Sequence, residues 1–522
     1  MNSMNEKILD IKEKIFEQTN MLIKSVDQAY IEGMAAHNVE EKVLNQLLKM
    51  GHQCMHLLFG HYGICDLGEF MDLSDGSRLK RLSELHTKNY LSIFGLIEAE
   101  RCVYGTREGQ KIDYVPLDAR LQLPKHKFSY LLQNWDQSLA TEMPYLKVNE
   151  TMIQILNLSI PVSSLERTNH NMDQYSIKYW DNQIEIKPAE KTQLVVGSSD
   201  CKGVVIRKSI EEKEEYLLNE ANKSKPASIE SSSSKKRNGK KKMAVLGAVY
   251  NIEPNIRTPE KVLESLFRSP DDPSPYENKP APPKPQNKHV RASMNRDDAN
   301  TLQPARKEIF DWLEQEYNER NPNGNNINLL LMDGEEKLWS MGNELNLQST
   351  RIEILDIIHA SSYIWIGIQA LHPQNTVVQN IPLVKLQVGH LLEGNASTVI
   401  RSFRWQATHM KLKSTRLEDI NKACNYLQKN IEKMKYNEYL AAGYPIGSGV
   451  MEGACRNVVV DRMECSGMRW VMNGAKSMLN TRCIHLNGNW EHFINYYIEE
   501  EQNSLYPIKA ANDDSFIESM VA

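Results

Sequence analysis

Three acids at the ends of predicted elements carry the chemistry open to this sequence. Asp200 closes the run TQLVVGSSD, Asp333 closes NINLLLMD, and Glu452 stands in the first turns of VMEGACRNVVV. They lie 133 (333 − 200) and 119 (452 − 333) residues apart, so only tertiary folding can bring them together. Three carboxylates converging at a sheet edge repel one another unless cations sit among them. Mg²⁺ prefers oxygen ligands and keeps waters, and neither His nor Cys serves so hard a cation as well. Two such ions about 4 Å apart can activate an attacking oxygen and stabilise the leaving oxygen of a phosphodiester. Taken singly, each acid also has an ordinary explanation. Asp200 before Cys-Lys-Gly and Asp333 before Gly334 are turn formers. Glu452 suits a helix start and is spaced i,i+4 from Arg456.

The elements that must position these acids follow from periodicity. Residues 5–60 read as a helical pair, with Val43, Leu44, Leu47, Leu48, Met55 and Leu58 on one stripe. Residues 89–104 read as a hairpin, two β-rich runs flanking Gly95. Residues 123–175 are helical with a break near 159–161, either a helix-turn-helix or a plain helical hairpin. TQLVVGSSD is a strand, CKG a turn, VVIRK a return strand and MAVLGAVYNI a third strand. A helix (305–320), a buried strand ending on Asp333, a strand (352–358), a helix from His359 and a mainly helical stretch (375–440) follow. The domains expected are 1–88, helical; 89–185, a β-hairpin with a helical DNA-binding region; 186–374, the first part of an α/β core; 375–443, a helical insertion; 444–495, the last part of the core; and 496–522, an acidic tail. Within the core, 209–242 holds SSSS and a basic run, and 269–300 begins proline-rich. Neither can bury enough apolar surface to order itself.

Composition narrows the class. The chain has 522 residues, 41% hydrophobic and 25% charged, a globular balance allowing three or four units of about 150 residues. A formal charge of −5 excludes a histone-like protein but leaves nucleic-acid binding to local patches. No apolar run approaches the ~18 residues of a transmembrane helix. The opening MNSMNEKILDIKEK has no apolar signal core, so a cytoplasmic protein without membrane contact is expected. Eight cysteines without a CxxC pair read as reduced thiols.

Longer blocks carry a resemblance. GYPIGSGVMEGACRNVVVDRMECSGMRWVMNGAKSMLNTRCIHLNGNWEHF (443–493) closely resembles the C-terminal signature of ISKra-type insertion-sequence transposases. Residues 90–124, FSYLLQNWDQSLA (128–140), SDCKGVVIRK and KKMAVLGAVYNIEPNIRTPE (241–260) resemble further blocks of that family, in order from about residue 45 to 495. The family is similar to DDE transposases. The resemblance implies an RNase H-like core, a mixed five-stranded sheet flanked by helices with a helical insertion before the last acid. It implies Asp200, Asp333 and Glu452 as catalytic ligands of two Mg²⁺ ions, with Mn²⁺ as a substitute. Cys201 stands where the family has a glycine. Asp356-Ile-Ile-His359 is similar to the D-x-x-H element of related superfamilies. His359 is therefore expected to contact the scissile phosphate or position a strand, and Asp356 rivals Asp333 as second ligand.

Expected partners are double-stranded DNA, as terminal inverted repeats and target, and further copies of the chain in a homodimer or larger synaptic assembly. Lys235, Lys236, Arg237, Lys240, Lys241 and Lys242 are candidates to track phosphates or are a solvated linker run. Arg456, Arg469 and Trp470 are candidates to grip a flanking phosphate or stack on a flipped base, with Trp470 as a core anchor the alternative. His52, Cys54, His56, His61 and Cys65 match no standard zinc-finger spacing. Two other functional classes remain open at this point. One is a transposase-derived DNA-binding regulator without catalysis; the other is a nuclease of the same core that never joins strands.

Overall fold

The computed structural model describes residues 2–73, 76, 78–106, 112–207, 239–268, 281–294 and 302–507. The chain divides into two compact units, residues 180–489, and residues 1–179 with 490–522. The larger is a mixed α/β unit built on one five-stranded sheet.

That sheet contains strands β6 (Leu194–Arg207), β7 (Gly239–Ile252), β8 (Gln286–Ser293), β9 (Asn328–Met332) and β10 (Arg351–Leu355), in the order β10-β9-β6-β7-β8. β6 pairs antiparallel with β7 and β7 with β8, whereas β6–β9 and β9–β10 are parallel. Asn-Leu-Leu-Leu-Met of β9 is buried on both faces, as a continuous apolar run in a parallel strand requires. Its alternation divides two cores. Leu329 and Leu331 join Leu194 and Val196 of β6 in one core, while Leu330 and Met332 join Val195 in the other. The first core is filled by α10 (Ile357–Leu371), α11 (Val377–Leu392), α12 (Ala396–His409), α13 (Ser414–Lys429) and α14 (Tyr436–Ala441). The second is filled by α8 (Leu302–Arg320) and α9 (Glu336–Asn343). The short α7 (Pro259–Leu266) adds Val262 to the first core. α8 lies so close to the sheet that a Cβ at Gly247 would stand 2.7 Å from the Trp312 ring.

Two expectations about the strands are corrected. Cys201-Lys202-Gly203 is no turn: it pairs with Val245, Ala244 and Met243 in one unbroken ladder, because β7 is long enough to match β6 along its whole length. Gly239–Lys242 therefore belongs to β7 rather than to an unstructured insert. Likewise β8 lies inside the stretch 269–300, and its Val290–Ser293 half is buried. Lys235, Lys236 and Arg237 lie outside the described residues.

The smaller unit contains the expected helical pair, α1 (Asn2–Ile31) and α2 (Ala36–Tyr62), and a three-stranded sheet of β1 (Phe70–Asp72), β2 (Arg78–Arg81) and β5 (Tyr104–Gly105). The hairpin about Gly95 is β3 (His86–Ser92) with β4 (Gly95–Arg101). Four helices follow, α3 (Pro116–Arg120), α4 (Tyr130–Glu142), α5 (Tyr145–Leu156) and α6 (Val162–Asn182). The last helix among the described residues, Trp490–Leu505, belongs here rather than to a core end and acidic tail. Trp490 Nε1 donates to Asn134 Oδ1 (2.8 Å) and Tyr497 Oη to Gln133 Oε1 (2.9 Å). Glu501 is buried and accepts from Tyr130 Oη at 2.7 Å, so it is no solvated terminal acid.

An ion pair in the larger unit ties α8 to two strands. Arg320 and Glu316 are fully buried, with Nε donating to Oε2 at 2.8 Å. Arg320 Nη1 also donates to Asn251 Oδ1 of β7 at 3.0 Å, and His289 Nδ1 of β8 lies 2.8 Å from Glu316 Oε1. Burial alone would push the Glu316 carboxyl up, but His289 and Arg320 outweigh it and hold it below the usual range. Glu316→Ala, which leaves Arg320 buried and unpaired, should cost about 3–5 kcal/mol in urea unfolding. A depressed folded pKa gives stability above the unfolded value of about 4.3, lost as pH falls through the folded one. The urea midpoint should therefore fall more steeply below about pH 4 for the wild type than for Glu316→Gln.

Candidate active site

Parallel pairing of β6 with β9 sets the site. Val195 faces Asn328, Val196 faces Leu329 and Gly197 faces Leu330, a constant offset of 133 (328 − 195). The same offset carried on along both chains makes Asp333 level with Asp200. Beyond the ladder Ser198 Oγ still donates to the Leu331 carbonyl at 2.5 Å, keeping the two chains together. By alternation Asp200 shares the face of Leu194 and Val196, and Asp333 continues that of Leu329 and Leu331. Both acids thus belong to the face covered by α10–α14.

Asp333 is largely buried. Oδ1 accepts the Glu335 N–H at 2.9 Å, and its carbonyl accepts Trp339 Nε1 at 2.6 Å. Burial pushes its carboxyl above the usual range, and the nearby negative charge of Asp200 adds to the rise. The Glu335 N–H and His359 act in the opposite direction. His359, on the first turn of α10, therefore lies within electrostatic reach of Asp333.

Asp200 is half-buried and uses both oxygens. Oδ1 accepts the Cys201 N–H at 2.6 Å and Oδ2 accepts the Cys455 thiol at 3.3 Å. Cys455 ends α15 (Gly449–Cys455), and the chain then widens into a π turn at Arg456–Val460, a helix irregularity frequent at functional sites. Burial, then Asp200, pushes the Cys455 thiol far up, so it remains a protonated donor. Burial also pushes Cys201 up, to about 12. Glu452 is exposed one turn before Cys455, at the i,i+3 spacing that shares a helix face.

Asp356 has a different task. It is fully buried, its Oδ1 caps α10 by accepting the Ile358 N–H at 2.9 Å, and its Oδ2 accepts Ser448 Oγ. The Ser448 carbonyl in turn accepts the Glu452 N–H at 2.9 Å. Asp356 thereby ties the start of α10 to the start of the Glu452 helix.

Three participants were not foreseen from the sequence. Ser448 and Cys455 sit in the quoted motif, but nothing in their spacing marks a partner 92 or 255 residues away. Tyr426 of α13 lies against Gly334, where an added Cβ would stand 2.5 Å from its hydroxyl oxygen. Its ring stacks on Tyr363 at 3.6 Å and 8°. An amphipathic helix gives no sign that one of its tyrosines faces an acid, so only the tertiary structure could find it.

The other candidates are dispersed. Trp470 is 6% exposed, its Nε1 donates to the Met463 carbonyl, and Arg462 lies 4.9 Å above its ring. Its backbone pairs with Val205 and Arg207 beside β6, so the expected stacking on a base is corrected: the indole is a core anchor. Arg469 is exposed, and Arg456 pairs with Asp461 at 3.5 Å rather than with Glu452. Lys240, Lys241 and Lys242 run along β7, and Lys241 Nζ meets Glu464 Oε1 at 3.0 Å. In the smaller unit His52 Nε2 lies 2.8 Å from the Leu96 carbonyl and its ring meets His56 edge-on, while Cys65 is buried. Among the described residues no three His, Cys, Asp or Glu side chains are gathered as a metal-binding group. The structure brings Asp200 within electrostatic reach of Asp333 and leaves Glu452 exposed on the helix whose Cys455 meets Asp200. Among the described residues no helix is long and apolar enough to cross a membrane.

No protein-family model matches the sequence, and no curated protein matches it.

An acid whose folded pKa is raised contributes stability at low pH that is lost as pH rises through that value. At neutral pH Asp333 therefore costs stability relative to a neutral isostere that keeps the Glu335 hydrogen bond. Asp333→Asn should melt higher than the wild type in EDTA at pH 7, and the gap should close on acidification. A lower melting temperature at pH 7 would contradict this description of the site.

Proposed function

We propose that this chain is the DNA transposase of a bacterial insertion sequence, with an RNase H-like catalytic core. The single observation that carries the reading is the β6–β9 register, which levels Asp200 with Asp333, beside the helix that bears Glu452. The five-stranded mixed sheet and the helical stretch 357–441 between Asp333 and Glu452 agree with what the family resemblance implies.

The donor set fits hard divalent cations: carboxylate oxygens, part-exposed at Asp200 and Asp333 and exposed at Glu452. Asp200, Asp333 and Glu452 would hold two Mg²⁺, with Mn²⁺ as substitute. Such ions supply an activated water, and later an activated 3′-hydroxyl, together with stabilisation of the leaving oxygen. The chain's own residues do the positioning. Asp356 and Ser448 fix the Glu452 helix, and the Cys455 thiol orients the Asp200 carboxylate. His359, beside Asp333, is placed to meet a phosphate oxygen. The region before β6 is assigned to the terminal inverted repeats. Two element ends must be cut together, which calls for a dimer or larger assembly.

A second reading, a transposase-derived DNA-binding protein without catalysis, draws on the engagement of both Asp200 oxygens. Purified protein, Mg²⁺ or Mn²⁺, and a labelled duplex carrying one element end with its flank separate the two. Transposition predicts a nick at the element boundary, followed by strand-transfer joints. Asp200→Ala, Asp333→Ala and Glu452→Gln should each abolish cleavage while end binding stays within about threefold of wild type. Full cleavage by any of the three variants would remove the assignment. Nicks without joints would leave a nuclease, and binding without nicks a regulator.

A further inference from the structure

We infer that one open side of the α1–α2 hairpin is the surface through which two copies of this chain associate, closing a four-helix bundle. The two helices pack antiparallel: Ser25 Oγ meets Gln46 Oε1 at 3.4 Å, and a Cβ on Gly60 would stand 3.7 Å from Ile11. On α1 the inner stripe is Ile8, Ile15, Leu22 and Ala29, one residue in seven. A second stripe with the same repeat, Leu9, Phe16, Ile23 and Tyr30, is between 56% and 87% exposed. Each of these follows its inner neighbour by one position. On α2 the exposed Leu44 and Leu47 likewise follow Val43 and Gln46. In an antiparallel pair the two sets therefore share one side of the hairpin. On α2 that side is open from Leu44 to Leu47. Phe94 of the β3–β4 turn then takes it, its ring lying where a Cβ on Gly51 would go.

Period, charge and area say what covers it. A seven-residue apolar repeat fits a supercoiled neighbouring helix rather than a strand or a loop. α1 carries five acids and four lysines, so it does not attract a polyanion. Helices of this length owe their stability to packing. Yet among the described residues only Ile8, Ala29 and Phe59 of α1 and α2 are buried, so the hairpin lacks a layer. Aromatic side chains offer ~150–250 Å² each, so Phe16 and Tyr30 leave roughly 300 Å² open. The four exposed aliphatic residues add about 200 Å², at ~100 Å² of burial for a whole side chain. Two such faces bury about 1,000 Å², the least that a specific interface needs. An apolar face is complementary to itself across a two-fold axis, so a second copy supplies both missing helices at once. The inference rests on the proposed function only in choosing a second copy over another helical protein, because two element ends call for two chains.

The test is sedimentation equilibrium of the full chain in EDTA without DNA. The wild type should be a dimer at about 10 µM. Phe16→Glu with Ile23→Glu should raise the dimer dissociation constant about 100-fold or more, since each charge would have to be buried. Phe16→Leu with Ile23→Leu should stay within about fivefold of wild type. Far-UV circular dichroism checks that the glutamate variant is folded. Hydroxyl-radical footprinting of the wild type needs no variant: oxidation of Phe16 and Tyr30 should fall about threefold or more between about 0.1 and 20 µM protein. A wild type that stays monomeric at about 50 µM would overturn the inference. So would a folded glutamate variant that still dimerises, or a dimer in which Phe16 and Tyr30 oxidise as they do in the monomer. Without DNA or metal the result is independent of cleavage: a monomer that nicks an element end would sink this surface alone, and an inert dimer closed by it would sink only the transposase reading.

Discussion

The parallel pairing of β6 with β9 is the constraint on which the rest of the structure depends. A slip of one residue would turn every side chain of β9 to the opposite face. Leu329 and Leu331 would then leave the core under α10–α14, and Asp333 would turn away from Asp200. Because β9 is apolar on both faces, polar contacts pin its register: Asn328 Nδ2 donates to Ser349 Oγ at 2.9 Å, and Ser198 Oγ donates to the Leu331 carbonyl at 2.5 Å. The acids inherit their alignment from that register: the ladder pairs Val195, Val196 and Gly197 with Asn328, Leu329 and Leu330, and the same offset carried three residues further is that of Asp200 and Asp333.

Placing two carboxylates together in a half-buried position is costly, and the surroundings answer it. Lys202 lies two residues beyond Asp200 on the same side of β6, and His359 opposes the charge on Asp333. Tyr426, packed on Gly334 and stacked on Tyr363, walls the site from the helical side. Asp356 spends a buried carboxylate on two tasks at once, capping α10 and holding Ser448. Through Ser448 and Cys455 the Glu452 helix is pinned at both ends, to the strand end after β10 and to β6.

Much of this was legible in the sequence where burial is continuous or periodic. The apolar run ending on Asp333 could only be a central strand, and the hairpin about Gly95 announced itself by two β-rich runs. Reading failed where a local signal competed with a tertiary one. Cys201-Lys202-Gly203 has turn composition, yet pairing along the whole of β7 keeps it extended. β8 follows a proline-rich stretch and was hidden by its neighbours' composition. Trp470 and Trp405 look alike in a sequence; one is buried under Arg462 and the other faces solvent, and only packing separates them. The continuous apolar run before Asp333 favoured it over Asp356 as the strand-end acid, but nothing in the sequence showed that Asp356 is buried and holds Ser448.

The account's central claim is that one sheet register brings Asp200 and Asp333 into a shared cation site with Glu452 at its open side. Anomalous diffraction from crystals soaked in Mn²⁺ tests it most directly. The account predicts two peaks among these three carboxylates, both lost in Asp200→Asn. Peaks elsewhere in the molecule with none between Asp200 and Asp333 would contradict it.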